Sequence, residues 1–244
     1  MIDKAKKLCD PLESPVKRST INEIILEADA FIRSFGFALP KFAYWSPEEM
    51  IRRKETIGGI TNARLGWDIT DYGAGDFEKM GLFLFTTRNG SLDDLKRGGG
   101  MCYAEKIMIS RHNQISPMHR HVIKTEDIIN RGGATLAIEM FESDEAGSID
   151  PNRQVIVMCD GEERKFNPGD VLELAPGESV TLHPGNWHKF WGEGGDVLIG
   201  EVSTVNDDLT DNIFEQPIGR FAEIEEDVAP RHLLVCDYEK YGLV

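Results

Sequence analysis

The sequence predicts a mainly β protein, a single antiparallel barrel or sandwich with helices packed ahead of it. Two observations carry this reading. From about residue 80 onward, "GLFLFTTRNG", "YAEKIMIS", "ATLAIEMFE", "RQVIVMCDG", "DVLELAPG", "ESVTLHPG" and "DVLIGEVST" are short runs rich in β-branched and aromatic residues, bounded by Gly, Pro, Asn and Asp. They follow one another at close spacing, with no helical pattern between them, so an antiparallel sheet is expected rather than alternating βα units. The turns "CDGEE" and "FNPGD" supply the backbone angles that a tight reversal needs.

Residues 1–18 form a charged lead-in, and residues 19–244 are read as one domain, helical over 19–79 and β from about 80 to 244. The first helix opens on a capping box of Thr20 and Glu23. Ile21, Ile24, Ile25, Ala28, Phe31, Ile32 and Phe35 then recur at helical spacing, and Gly36 stops it. A second, short helix begins at "SPEEM", with Ser46 as N-cap and Pro47 at its first position.

Composition narrows the function. A formal net charge of -15 over 244 residues repels polyanions, so nucleic acid and anionic membranes are poor partners. No run approaches the roughly 20 apolar residues that span a bilayer, and the charged first residues lack the apolar core of a secretory signal, so a cytoplasmic location is expected. Cys9, Cys102, Cys159 and Cys236 stand singly and are expected to be reduced.

The chemistry concentrates in "SPMHRHVIKTEDIINRGG", residues 116–133. His119 and His121, two apart, share a face on a strand but point apart on a helix, and the β context selects the strand. Glu126 follows after "VIKT", a spacer long enough to bend the chain so that the next strand comes alongside, and Gly132 and Gly133 allow a further reversal. The fourth candidate ligand is His188, just past the turn in "HPGNWHKFWG". This two-part pattern, H-x-H-x(4)-E-x(6)-G followed by P-G-x-x-H, resembles the signature of the cupin barrels. Asn113 stands where a glycine often opens that motif, and His183 replaces a common proline. The resemblance implies a small antiparallel jelly-roll barrel whose interior holds one divalent metal on His119, His121, Glu126 and His188. Three imidazoles and a carboxylate suit Mn²⁺, Fe²⁺, Co²⁺, Ni²⁺ or Zn²⁺ better than Ca²⁺ or Mg²⁺, and ligand type alone does not choose among them; Mn²⁺ is the expected ion.

A longer series of segments, "KRSTINEII", "LPKFAYWSPEEM", "LGWDITDYGAGDF", "LFTTRNG", "YAEKIMI", "PMHRHVIKTEDIINRGG", "HKFWGEGGDVLIGEVSTVNDD" and "RFAEIEED", is similar in order and content to the D-lyxose isomerase family. Arg120 and Val122 depart from it, where aromatic residues are expected beside the histidines. The resemblance implies a metal-dependent sugar ketol-isomerase acting on a free sugar, D-lyxose to D-xylulose and D-mannose to D-fructose, in a homodimer. Isomerisation through an enediol needs a carboxylate to carry a proton between C1 and C2. Glu223 is the expected carrier and Glu225 its alternate. Lys106, a lone charge in an apolar strand, is expected to assist as a cation beside a sugar oxygen. Lys106, Glu126, Trp67, Asp68 and Glu225 are the candidate sugar contacts, with Asp71 divided between that role and a turn. Two other readings use the same fold: a dioxygenase on the same ligand set, and a sugar-binding module without catalysis.

Overall fold

A computed structural model describes residues 16–208, 210–218 and 224–244. Strand β1 (Val16–Lys17) leads directly into helix α1 (Arg18–Ser34). The helix therefore starts earlier than expected, and the Thr20/Glu23 capping box is not its cap: Lys17 is the N-cap, and no side chain accepts there. The reason is Arg18. Its fully buried guanidinium grips Asp237 (2.8 and 3.0 Å) and Glu226 (2.8 and 2.9 Å), fixing the first turn against the C-terminal segment. Val16, Lys17 and Arg18, counted with the charged lead-in on sequence, thus lie in β1 and α1. Gly36, at φ +74°, stops the helix as expected, its N–H donating to the Arg33 carbonyl.

Short helices α2 (Pro47–Arg52), capped by Ser46 Oγ, and α3 (Gly58–Thr61) follow. The sheet then begins at β2 (Gly66–Thr70), inside the stretch expected to be helical to residue 79. It continues with β3 (Leu82–Asn89), a short α4 (Leu92–Arg97), β4 (Tyr103–Ser110), β5 (Ser116–His121) and β6 (Glu126–Ser143). After these come β7 (Ile149–Asp150), β8 (Val155–Cys159), β9 (Glu162–Phe166), β10 (Val171–Leu174), β11 (Ser179–Leu182) and β12 (Trp187–Thr204). β13 (Asn212–Phe214) and β14 (Ile224–Glu225) complete the set. The main sheet runs β2-β3-β4-β12-β6-β11-β8-β9, all antiparallel, with β5 on β12 and β13 on β5. The expected mainly β, antiparallel architecture is the one found.

Two long strands organise it. β6 pairs with β11 through its first residues and with β10 through its second half, and β12 lies against β6 along both halves. The turn expected at Gly132 and Gly133 is a bend inside β6, not a reversal. Gly133 has φ +98°, and a Cβ there would lie 2.2 Å from the Asp196 carbonyl oxygen, so only glycine lets the two long strands approach. Opposite it, β12 bulges between Glu193 and Val197, where Gly194 takes φ +80°.

Strand alternation decides what faces what. In β4, Ile107 and Ile109 pack with Ile21, Ile24, Ile25, Ala28 and Ile32 of α1, while Lys106 and Met108 point to the other side. A second core of Leu136, Ile138, Met140, Val155, Leu172, Leu174, Val180 and Leu182 fills the barrel below. Each such side chain contributes about 1.5–3 kcal/mol on burial, which gives the site a rigid floor. Cys102, Cys159 and Cys236 are free thiols, and Cys9 lies outside the described residues. Among the described residues no helix is long and apolar enough to cross a membrane.

Candidate metal centre and active-site cavity

β5 delivers His119 and His121, and β12 delivers His188, whose Cα lies directly across from that of His119. The turn into β5 needs a left-handed residue, and Asn113 takes φ +59°, an angle that asparagine tolerates in place of glycine. Two imidazoles are oriented in the same way. His119 Nδ1 meets the Pro117 carbonyl at 2.8 Å, and His188 Nδ1 meets the Asn186 carbonyl at 3.1 Å. A carbonyl only accepts, so Nδ1 carries the hydrogen and the Nε2 lone pair is left for the interior. The His119 and His188 rings are 4.1 Å apart between centroids, and ligand atoms of the three histidines lie within 4.8 Å of one another.

Glu126 completes this cluster by a route other than the expected one. β5 and β6 do not lie side by side. Residues 122–125 instead carry the chain from β5 to the far end of β6, and Asp211 accepts the backbone N–H groups of Val122, Ile123 and Lys124 at 2.6–3.0 Å. Glu126 Oε1 then lies 3.1 Å from His121 Nε2 and 3.3 Å from His188 Nε2. Neither Glu126 Oε1 nor either ring nitrogen of His121 makes a hydrogen bond, although all are buried. Burial, and then the neighbouring His188 and His121, hold His119 well below the usual imidazole range. Burial likewise lowers His121. Burial opposes ionisation of Glu126, but His121 and Lys124 outweigh it, and the carboxyl is held well below its ordinary range. Three clustered imidazoles and a carboxylate held ionised beside two of them, with buried acceptors unpartnered, fit a divalent transition metal.

Beside the cluster runs a buried chain of charges. Lys124 Nζ donates to Glu126 Oε2 at 2.6 Å and to Glu201 Oε1 at 2.9 Å. Lys106 Nζ lies 3.2 Å from the same Glu201 oxygen and donates to Asn206 Oδ1 at 2.6 Å. All four charged side chains are at most 5% exposed. Burial would push Glu201 up, but the Lys106 and Lys124 ammoniums bring it below the ordinary carboxylate range. Lys124 is raised in turn, since Glu126 and Glu201 overcome the cost of burying its charge. The chain thus joins the Glu126 carboxylate to a second one, Glu201, with a cation on each side of the latter.

The opposite wall comes from β2 and the residues after it. Asp68, Thr70 and Tyr72 alternate along one face and line the same cavity of ≈ 90 Å³, room for a small molecule or a few waters. Trp67 and Ile69 face the other way. Trp67 is therefore not a sugar contact: it is buried beside Phe83 and Phe85, with its indole N–H donating to the Ala43 carbonyl. Asp71 is a turn residue, its carboxylate accepting the Gly73 and Gly75 amides. Glu225 is exposed on β14, opposite Lys17 of β1, and does not line the cavity. Glu223 lies outside the described residues. Arg120 turns away to the Gly147 carbonyl and the Trp187 ring, and Val122 is exposed, so neither departure from the family pattern touches the cluster.

The structure thus brings His119, His121, Glu126, His188, Lys106 and Asp68 to one cavity and adds Glu201, Lys124, Tyr72 and Asp208. Glu201 carries the same signal as Lys106, a single charge in an apolar strand, "VLIGEVS". Lys124 lies two residues before Glu126 in the connecting segment, and its ammonium reaches both Glu126 and Glu201.

Comparison with known proteins matches residues 16–238 to the D-lyxose isomerase family. A D-lyxose/D-mannose isomerase of Serratia proteamaculans is 44% identical over 93% of this chain and 99% of its own length. One of Escherichia coli O157:H7 is 43% identical over 91% of this chain and 97% of its own. Among solved structures, the L-ribose isomerase of Acinetobacter sp. DL28, in complex with L-ribose, superposes with a TM-score of 0.58 at 14% identity, covering 87% of this chain and 99% of its own. The L-ribose isomerase of Cellulomonas parahominis gives 0.54 at 15% identity, over 86% and 99%. The fold is shared with both.

Proposed function

This chain belongs to the D-lyxose isomerase family, and from that premise we infer that it is a metal-dependent aldose–ketose isomerase of free sugars. D-Lyxose and D-xylulose are the first pair, and D-mannose and D-fructose the second. The observation that carries the metal dependence is the cluster of three buried imidazoles, two of them within 3.3 Å of Glu126 Oε1, which has no hydrogen-bond partner. His119, His121, Glu126 and His188 would hold the ion. When bound, it supplies polarisation of the sugar carbonyl and a countercharge for the enediolate.

The protein's own groups account for the proton. Glu201 is the proton carrier in this reading: its carboxylate takes the C2 hydrogen of the open-chain aldose as a proton and returns it to C1. Glu126 is unsuited to the task, because one oxygen is turned to the histidines and the other to Lys124. Lys106 and Lys124 hold Glu201 in place and set positive charge beside the developing oxyanion. The apolar floor of Leu82, Leu84, Met108 and Phe190 excludes bulk water from the intermediate.

The test is ketose formation from D-lyxose by chelator-stripped protein, before and after Mn²⁺ is returned, with oxygen uptake followed in parallel. Ketose only after metal return, with no oxygen consumed, is expected. Metal-independent ketose formation, or sugar loss coupled to oxygen uptake, would overturn the reading. Glu201→Gln should retain stoichiometric metal and lose about 10²–10⁴-fold in kcat. Glu223→Gln made alongside separates the two carboxylates, since only the carrier shows that loss with its metal intact.

A further inference from the structure

The wall facing the histidines holds an acid that the enediol step does not use. We propose that this protein also interconverts the α and β anomers of its sugar, opening and closing the pyranose ring with Asp68 and Asp208 as the proton-exchanging pair. The proposal rests on the sugar-isomerase reading for the identity of the ligand, but its chemistry is separate.

Free aldoses exist in water almost wholly as rings, whereas proton transfer between C1 and C2 needs the open chain. Opening a hemiacetal requires one proton to leave O1 and another to reach the ring oxygen, which calls for an acid and a base on the same ligand. Two carboxyl groups that hold one proton between them provide both. Asp68 and Asp208 line the one cavity, and the charge of Asp208 adds to burial in disfavouring an ionised Asp68. Among the described residues no ion pair reaches Asp68, and its Oδ1 accepts the Ile69 amide at 3.0 Å. Asp208 Oδ1 instead faces the Lys106 ammonium at 3.8 Å. The Lys106 ammonium sets positive charge beside Asp208, whereas burial favours the protonated form of Asp68. Burial, with Asp208 next, pushes the Asp68 carboxyl up to about 7, so near neutrality it is still a proton donor.

The step balances within the pair. Asp68 gives its proton to the ring oxygen as the C1–O bond to that oxygen breaks. The O1–H electron pair becomes the second C1–O1 bond, and Asp208 takes the O1 proton. Rotation about C1–C2 and the reverse transfers close the ring on the other face of the carbonyl. Tyr72, whose hydroxyl meets Ser116 Oγ at 2.8 Å, lines the same cavity; burial pushes its phenol up, so it stays neutral.

The experiment dissolves crystalline α-D-lyxose with metal-loaded protein and follows both anomers and the ketose by NMR. Wild type should bring the anomers to equilibrium faster than buffer, by about a hundredfold once sugar is bound. Asp68→Asn, nearly isosteric, should return the exchange to the buffer rate, and Asp208→Asn should do the same. Wild-type exchange at the buffer rate while ketose accumulates would overturn the proposal and leave the isomerase reading intact. So would an Asp68→Asn protein that exchanges anomers as fast as wild type. Rapid exchange without any ketose would uphold the proposal and refute the isomerase reading.

Discussion

Replacing Asp68 by asparagine should make the protein more stable at neutral and alkaline pH, and by an amount that depends on pH. The Asp68 carboxyl is raised from 3.8 to about 7, because burial and the charge of Asp208 disfavour its ionised form. A carboxyl raised in the folded state binds its proton more tightly there than in the unfolded chain. Its favourable contribution is complete below pH 3.8 and is lost as pH rises through about 7. Asparagine resembles the protonated form at every pH, so the variant escapes that loss. At about 1.36 kcal/mol per pH unit, the shift corresponds to about 4 kcal/mol, and water in the cavity reduces this to about 2 kcal/mol. Urea unfolding of both proteins across pH 4 to 9 isolates the effect, since other titrating groups cancel in the difference. The gap should be small at pH 4, widen through pH 7 and then level off. A gap that does not change with pH, or a variant that is less stable at pH 8, would show that Asp68 is not an ionisable group held against its charge. Retaining an acid that lowers stability at the working pH is the mark of a residue kept for chemistry.

Lys124→Met should destabilise the protein by about 3–5 kcal/mol in urea, because it strands Glu126 and Glu201 in the interior without their shared cation. Arg18→Met should cost a similar amount by uncoupling α1 from Asp237, yet leave the metal content of the folded protein unchanged by elemental analysis. Mn²⁺ at a hundred times its Kd should stabilise the wild type by about 2.7 kcal/mol in calorimetry, and His188→Ala should abolish that increment together with activity.

Much of the site was legible because strand geometry is simple. His119 and His121 on one face, His188 beyond a rigid turn, and Lys106 alone in an apolar strand all follow from period-two alternation. The same rule argues against pairing Trp67 with Asp68, since adjacent strand residues face opposite sides, and the structure divides them between core and cavity. What local pattern does not reveal is tertiary pairing. Nothing near Glu126 announces that Asp211, far along the chain, holds the connecting loop, so a side-by-side strand is the natural but incorrect expectation. The start of α1 is lost for a similar reason: the Arg18 partners lie at the other end of the chain and override a plausible capping box. The cluster of acids before residue 227 draws attention by composition, whereas Glu201 is a single charge in an apolar strand whose partners, Lys106 and Lys124, meet it only in the folded chain.

His188 and Glu201 sit on one strand an odd number of residues apart, so an uninterrupted β12 would present them to opposite sides of the sheet. They share a cavity because the bulge between Glu193 and Val197 moves the alternation by one step. Before it the even-numbered His188 and Phe190 face the cavity; after it the odd-numbered Ile199 and Glu201 face inward. The "GEGG" segment therefore acts as a phase shifter, touching no ligand yet setting which letter of the following strand is read by the cavity. Deleting one glycine there would present Gly200 or Val202 in place of Glu201, and the chemistry would vanish with every functional side chain still encoded in the gene.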